Sequence, residues 1–335
     1  MENEMQTVRK VPTLAEAFEM YIRDRKDLRP TTVGSYRQVI KRAGILLDRP
    51  LDQIKYSDIK HLYSDLRYES SYKPASIEIL NNLLNPIFNF AVRDDILNKN
   101  PAQGAFRDVA RGSDWKTHHK AAVSVDTQKA FLDFIHDSPT FRRWENFFIV
   151  LFGTGIRIGE AIALCWEDIN FIEKTIEIKR SLYYQSGKYY EGPPKTEAGF
   201  RIIPILPEVA RALARENQIA KLTKAPADKN IPGLKGLIFS NSKGGMLYAS
   251  TVNNAIKNII KAYNKTYAEN PIENFSVHQI RHSFCSRLIE QDVNLKVVQT
   301  VMGHSNFETT MNIYAEVSTE KKQIVFDGLE GKIIK

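Results

Sequence analysis

Four places beyond residue 150 hold cationic or nucleophilic side chains in settings suited to chemistry on an anion. The first is Gly153-Thr154-Gly155-Ile156-Arg157-Ile158-Gly159-Glu160. Two glycines allow a tight turn ahead of a helix whose first turn carries Arg157, and a planar guanidinium can fork two hydrogen bonds onto a phosphate. Glu160, three residues on, is near enough to orient that cation. The second is Pro193-Pro194-Lys195-Thr196, which reads as Lys195 at the tip of a rigid hairpin. The third is His278-Gln279-Ile280-Arg281-His282, where His278 and Arg281 share a helical face. His278 and His282 could instead open a metal site, but Gln279 stands where a metalloprotease helix needs Glu, and Arg281 would repel a cation. The fourth is Val301-Met302-Gly303-His304-Ser305-Asn306 and the helix that follows to Tyr314. Gly303 closes one helix and Ser305 or Asn306 caps the next, which leaves His304 exposed at the junction. Read singly, each place has a plainer explanation: a solvated Arg–Glu pair, a surface lysine, a histidine satisfied in a core. Tyr314 shares a helical face with Phe307 and Met311, so a buried core tyrosine is its plain alternative.

Composition narrows the setting. The 335 residues exceed what one core usually supports, so two domains are expected. Net charge is +8, with 18 Lys and Arg against 15 Asp and Glu in residues 1–112 and 29 against 24 in the rest. Positive charge spread over both halves fits contact with a polyanion along the whole chain, or simply a basic solvated surface. Two cysteines, Cys165 and Cys285, form no disulfide framework and no zinc pattern, and the acidic start is unlike a signal peptide. The longest apolar run, Phe147 to Phe152, is too short to span a bilayer. A cytoplasmic protein with no membrane partner is expected.

The elements that must hold these residues follow from periodicity. Apolar spacing predicts helices over 13–26, 31–46, 57–66 with Ser57 as N-cap, and 74–92, an all-helical domain of residues 1–101. Residues 102–120 lose periodicity and read as a linker. A mixed domain over 121–317 should hold helices at 126–136, 143–152, 157–167, 207–222, 248–264, 278–290, 294–301 and 306–315. Strands at 171–180, 182–190 and 200–206 would form one small antiparallel sheet. The fold class is therefore mainly α with a small antiparallel β-sheet, closing with a tail at 318–335.

The order Arg157, Lys195, His278, Arg281, His304, Tyr314 resembles the tyrosine recombinase (phage integrase) family. GTGIRIGE, PKTEAGFRIIPI, HQIRHSF and MGHSNFETTMNIY look like that family's boxes. The likeness extends over residues 12–320 and is nearest to integrases of conjugative transposons and temperate phages. Residues 1–11 are too few to hold the arm-binding domain that many such relatives carry ahead of the core-binding helices. The resemblance implies a four-helix core-site DNA-binding domain joined to an α+β catalytic domain. It also implies the roles. Tyr314 attacks the scissile phosphate and leaves a 3′-phosphotyrosyl bond and a free 5′-hydroxyl. Arg157, Arg281 and His304 surround the non-bridging oxygens, and Lys195 protonates the departing oxygen. His278 serves as base or phosphate contact, and Glu160 holds the cations. One diester replaces another, so neither cofactor, ATP nor metal is required. The implied partners are double-stranded DNA with inverted-repeat core sites and three further copies of the chain at a four-way junction. An accessory excision or host DNA-bending protein is a further implied partner, and the nucleoid the implied place of action. The tail would pack on a neighbouring protomer or on its own domain. The alternatives are a type IB topoisomerase-like enzyme, a DNA-binding regulator without the reaction, and a metal-dependent hydrolase built on His278 and His282.

Overall fold

The computed structural model describes residues 10–111, 121–185, 188–223, 234, 236–241 and 244–315. Contacts divide the chain into two compact units, Met1–His119 and Lys120–Lys335. Among the described residues no helix is long and apolar enough to cross a membrane.

The first unit is helical. Thr13 opens α1 (Leu14–Asp24): its hydroxyl accepts the Glu16 N–H at 3.2 Å, and its own N–H donates to the Glu16 carboxylate at 2.8 Å. α2 (Pro30–Ile40) carries proline in its first turn, where the missing N–H costs nothing. The helix expected to reach residue 46 stops at Ile40. A 3₁₀ segment, Lys41–Asp48, follows, broken at Gly44 with φ 55° and ψ −128°. α3 (Tyr56–Tyr68) starts one residue early, and Ser57 is not its cap; the Asp58 carboxylate instead accepts the Lys55 N–H at 2.9 Å. α4 (Pro74–Arg93) buries Ile77, Leu80, Leu84, Ile87 and Phe88 against the other helices. The linker expected from residue 102 is corrected at its start. A short α5 (Ala105–Val109) seals this core, with Ala102 and Ala105 fully buried and Phe106 edge-on to Tyr63 at 6.2 Å. Alanines give little apolar periodicity, so the sequence hid that packing. Residues 112–120 and the tail at 318–335 lie outside the described residues.

The second unit is built round α7 (Glu145–Thr154), a helix apolar on all sides, with Phe147, Phe148, Val150 and Leu151 buried. α6 (Val125–Asp137) lays Phe131 edge-on to Phe148 at 5.1 Å and to Phe275 at 5.0 Å. Each such ring removed from water contributes about 1.5–3 kcal/mol. The helix expected over 157–167 shrinks to α8 (Ile158–Ala161). Beyond it the backbone leaves helical geometry to pair with residues 236–238: Trp166 donates to the Gly236 carbonyl, and Ile238 donates to that of Leu164. Two sheets replace the expected one. β1 (Ile169–Asn170), β2 (Thr175–Ile178) and β5 (Arg201–Pro204) form an antiparallel three-stranded sheet in the order β1-β2-β5. β3 (Ser181–Gln185) and β4 (Lys188–Gly192) form a separate antiparallel hairpin. The strand expected from residue 171 begins at Thr175. Asn170 Oδ1 first accepts the N–H groups of Ile172 and Glu173, and Lys174 turns left-handed at φ 52°. The remaining helices are α9 (Pro207–Thr223), α10 (Ala249–Thr266), α11 (Val277–Glu290), α12 (Leu295–Met302) and α13 (307–315).

α7 ends at Gly155, in left-handed conformation at φ 60°, and a Cβ there would lie 2.5 Å from the Phe284 ring of α11. Backbone strain and overpacking act together at this site. Gly155→Ala should therefore destabilise the protein by about 2–4 kcal/mol. Gly34→Ala, in α2 with open space round the added methyl, should be neutral or stabilising by up to about 1 kcal/mol. Urea denaturation of the two variants checks the contrast; equal effects would remove the steric account of Gly155.

Candidate active site

The turn after Gly155 places Arg157 at the N-cap of α8 rather than inside its first turn. Glu160 folds back onto it, one oxygen accepting the Arg157 backbone N–H at 3.0 Å and the other its guanidinium at 2.9 Å. The carboxylate is almost wholly buried, and a second arginine, Arg201 of β5, donates to it at 2.8 Å. Burial alone would raise the Glu160 pKa. The bond and charge of Arg201, and then those of Arg157, outweigh it and hold the group below its ordinary value. Gly159 lets this turn approach β3, since a Cβ there would meet the Leu182 carbonyl oxygen at 2.7 Å.

α11 brings in the third arginine. Arg281 is buried and donates to the Gly155 carbonyl at 2.8 Å and to the Met302 carbonyl. Burial and the positive charge of Arg157 push its guanidinium below the ordinary arginine value. Three consecutive carbonyls at the end of α12 thus each accept from a different arginine. Val301 takes Arg201 Nε at 2.7 Å, Met302 takes Arg281, and Gly303 takes Arg157 at 2.7 Å. A helix C-terminus carries unsatisfied carbonyls and partial negative charge, so cations are stabilised there. Gly303 itself is left-handed at φ 65°, and a Cβ on it would lie 2.8 Å from the Ala198 carbonyl oxygen. The Arg157 side chain stays about one-third exposed at 32%. Its guanidinium has five N–H donors, of which Glu160 and Gly303 engage two among the described residues.

His304 corrects an expectation: it is buried, not exposed, with Nδ1 3.0 Å from the hydroxyl of Thr310, itself fully buried on α13. Burial and the positive charges of Arg281, Arg157 and Arg201 lower its pKa to about 4. Asn306 caps α13 as expected, its side-chain oxygen accepting the Glu308 N–H at 2.9 Å. On α13, Phe307, Met311 and Tyr314 form an exposed face, with Tyr314 40% accessible, so the core-tyrosine alternative falls. His278 is also solvent-exposed, yet the protein packed round its ring and the charge of Arg281 lower its pKa. Lys195 is exposed too, but not at a hairpin tip. It lies between β4 and β5, behind the buried Pro194, which Gly199 accommodates by having no side chain. Lys195 and Tyr314 stand outside the bonded cluster among the described residues. Also among those residues, no three His, Cys, Asp or Glu side chains gather as metal ligands.

Two residues at the site were missed from sequence. Arg201 sits on the buried face of β5 with Ile203, and an arginine in phase with the apolar positions of Arg201-Ile202-Ile203-Pro204 was the available signal. Thr310 offered none, because a threonine in a helix is ordinary. The assembled site is a positively charged recess with one balancing carboxylate, a neutral imidazole and an exposed tyrosine on the next helix. It suits binding a tetrahedral anion and stabilising charge that grows on it.

Comparison with known proteins agrees. The profile of the phage integrase family matches residues 123–321. The transposase from transposon Tn916 of Enterococcus faecalis is 29% identical over 316 residues, 93% of this chain and 76% of that protein. A XerC-like tyrosine recombinase of Caldanaerobacter subterraneus is 30% identical over 300 residues, 86% of this chain and 74% of that one. A structure of the transposon Tn1549 integrase in complex with circular-intermediate DNA superposes with a TM-score of 0.81. It is 26% identical and covers 92% of this chain and 99% of that one. A lambda integrase dimer bound to a core site shares the fold at TM-score 0.62 and 18% identity, over 90% of this chain and 77% of that one. These relatives do not favour the topoisomerase-like, regulatory or hydrolytic alternatives. With residues 123–321 matched by the family profile and the helical unit included in the wider likeness, the chain belongs to the phage integrase family, the site-specific tyrosine recombinases.

Proposed function

We propose that this recombinase acts on double-stranded DNA at inverted-repeat core sites of a mobile element or prophage, with Tyr314 as nucleophile. The observation that carries the reading is the gathering of Arg157, Arg281 and His304 round the backbone segment 301–304, one helix ahead of the exposed Tyr314. Tyr314 Oη attacks the scissile phosphorus in line; the bond to the 5′-oxygen breaks and a 3′-phosphotyrosyl diester forms. Arg157 and Arg281 neutralise the non-bridging oxygens as charge grows on them. His304 is neutral at physiological pH and donates to the phosphate from Nε2, in the tautomer whose Nδ1 accepts the Thr310 hydroxyl proton. Lys195 delivers a proton to the departing 5′-oxygen, and His278 takes the tyrosine proton or contacts the phosphate. Glu160 holds Arg157 in place. The 5′-hydroxyl of a partner strand then reverses the step. Diester replaces diester, so the bond energy is retained without ATP. Two rounds between two duplexes pass through a four-way junction held by four protomers, with an accessory excision or DNA-bending protein setting direction. The DNA-bound Tn1549 and lambda integrase structures support this reading.

Incubation in EDTA with nicked duplexes bearing a randomised core, followed by SDS and sequencing of what stays attached, tests the nucleophile. The wild-type chain should form an adduct and Tyr314→Phe none; an adduct that persists in Tyr314→Phe would mean another residue attacks. Lys195→Ala should cleave an ordinary linkage about 10²–10⁴ more slowly, as loss of a general acid does. It should approach wild-type rate when the leaving atom is a 5′-bridging sulfur, which departs without a proton. A deficit of the same size on both linkages would take that role from Lys195. His304, with a folded pKa of about 4 against the ordinary 6.5, gives a third expectation. Between those values the unfolded chain binds a proton that the folded chain refuses, so stability falls as pH drops through 6.5 towards 4, by up to roughly 3 kcal/mol. Melting temperatures from pH 7 to 4.5 should fall less steeply for His304→Asn than for wild type; parallel curves would rule the contribution out.

A further inference from the structure

We propose that Arg201 is a positioning residue for strand cleavage, setting Arg157 and His304 through Glu160 and the end of α12. The inference rests on the assignment of Arg157 and Tyr314 above. Arg201 cannot touch DNA from where it stands, its side chain being 2% exposed on the inner face of β5. All its described bonds go to protein: Glu160 at 2.8 Å, the Val301 carbonyl at 2.7 Å and the Gly199 carbonyl at 2.8 Å. These anchors belong to the α8 turn, the α12 terminus and the loop that carries Lys195. A planar guanidinium with a fixed fork of donors can hold three such acceptors in one plane; an ammonium cannot.

The consequence for Arg157 is geometric. One Glu160 oxygen is shared by Arg201 and the Arg157 backbone N–H, which turns the other towards the Arg157 guanidinium. At the far end, fixing Val301 fixes the carbonyls of Met302 and Gly303 that receive Arg281 and Arg157, and the turn that sends His304 inward. Arg201 Nη1 also lies where any side chain on residue 303 would have to go, 3.0 Å from the place a Cβ would take, so this arginine and that glycine are matched. Stability alone is weak grounds for the Arg201–Glu160 pair, because apolar residues in place of both partners of a buried pair are often tolerated without loss. Orientation of the working arginines does account for it.

The test is the single-turnover rate of adduct formation at saturating protein, on the nicked duplex that the wild-type chain selects. Arg201→Met and Arg201→Lys should both slow it about a hundredfold, the order expected for displaced catalytic groups. Affinity for the same duplex should change by less than about threefold, since no phosphate contact is lost. Combined with Arg157→Lys, the Arg201→Met penalty should shrink to about tenfold or less, because the share that acts through the Arg157 guanidinium is already lost. A general folding defect would instead multiply through unchanged in the two backgrounds and overturn the proposal. So would wild-type rate in Arg201→Lys, which would leave charge rather than geometry as what matters. Thermal melts of Arg201→Lys identify a variant that has simply unfolded, and Arg201→Gln then carries the same comparison. An adduct in Tyr314→Phe would strike the nucleophile assignment and leave the Arg201 rates interpretable on their own.

Discussion

An α-helix finishes with carbonyls that its own backbone cannot satisfy, and at α12 three of them are met by arginines drawn from three distant parts of the chain. The interaction works in both directions. The arginines complete the helix end, and the helix end fixes where the arginines point. Remove the guanidiniums and the carbonyls of residues 301–303 lose these partners, leaving the turn into His304 to its bonds with Gln299 and Thr310. Remove the carbonyls and, among the described residues, Arg157 keeps only Glu160, and Arg281 only the Gly155 carbonyl, to fix its direction. The local partial negative charge of a helix terminus also softens the repulsion among three cations crowded into one recess.

Charge balance at the recess is incomplete, and the imbalance has a physical effect. Glu160 offsets roughly one of three guanidiniums, and the excess adds to burial, the larger cause, in lowering His304 and His278 alike. A phosphate diester entering such a place supplies the missing negative charge. Its transition state, carrying more charge on the same oxygens, supplies it better, which is the condition for catalysis rather than mere binding. The exposed edge of Arg157 is where that exchange with solvent is open.

Local patterning made most helices and the places of several site residues readable. The turn glycines before Arg157, the His-x-x-Arg spacing on α11 and the glycine ahead of His304 all lie where their short motifs imply. What escaped was long-range. His304 looked exposed because its immediate neighbours are a glycine and small polar residues, whereas the groups that bury it come from α11, the α8 turn and α13. Arg201 was passed over as one charge in an apolar strand, since its partners lie 41 and 100 residues away. The β3–β4 hairpin was read as a single strand because tyrosines lie on both arms, although the dipeptide Ser186-Gly187 is a turn signal in the sequence. Short apolar segments beyond residue 157 suggested a long helix only because the competing backbone partner, near residue 237, is remote.

The arginine-capped helix end also fixes an order of events during synthesis. Its acceptors lie 146 residues after Arg157, 100 after Arg201 and 21 after Arg281. Contacts so far apart form late, because the loops between them must close before the bonds are gained. A nascent or truncated chain that ends before Val301 therefore carries every arginine and no recess in which to align them. Alignment of the three arginines is therefore a late event of folding, waiting on the segment 301–303 that receives them.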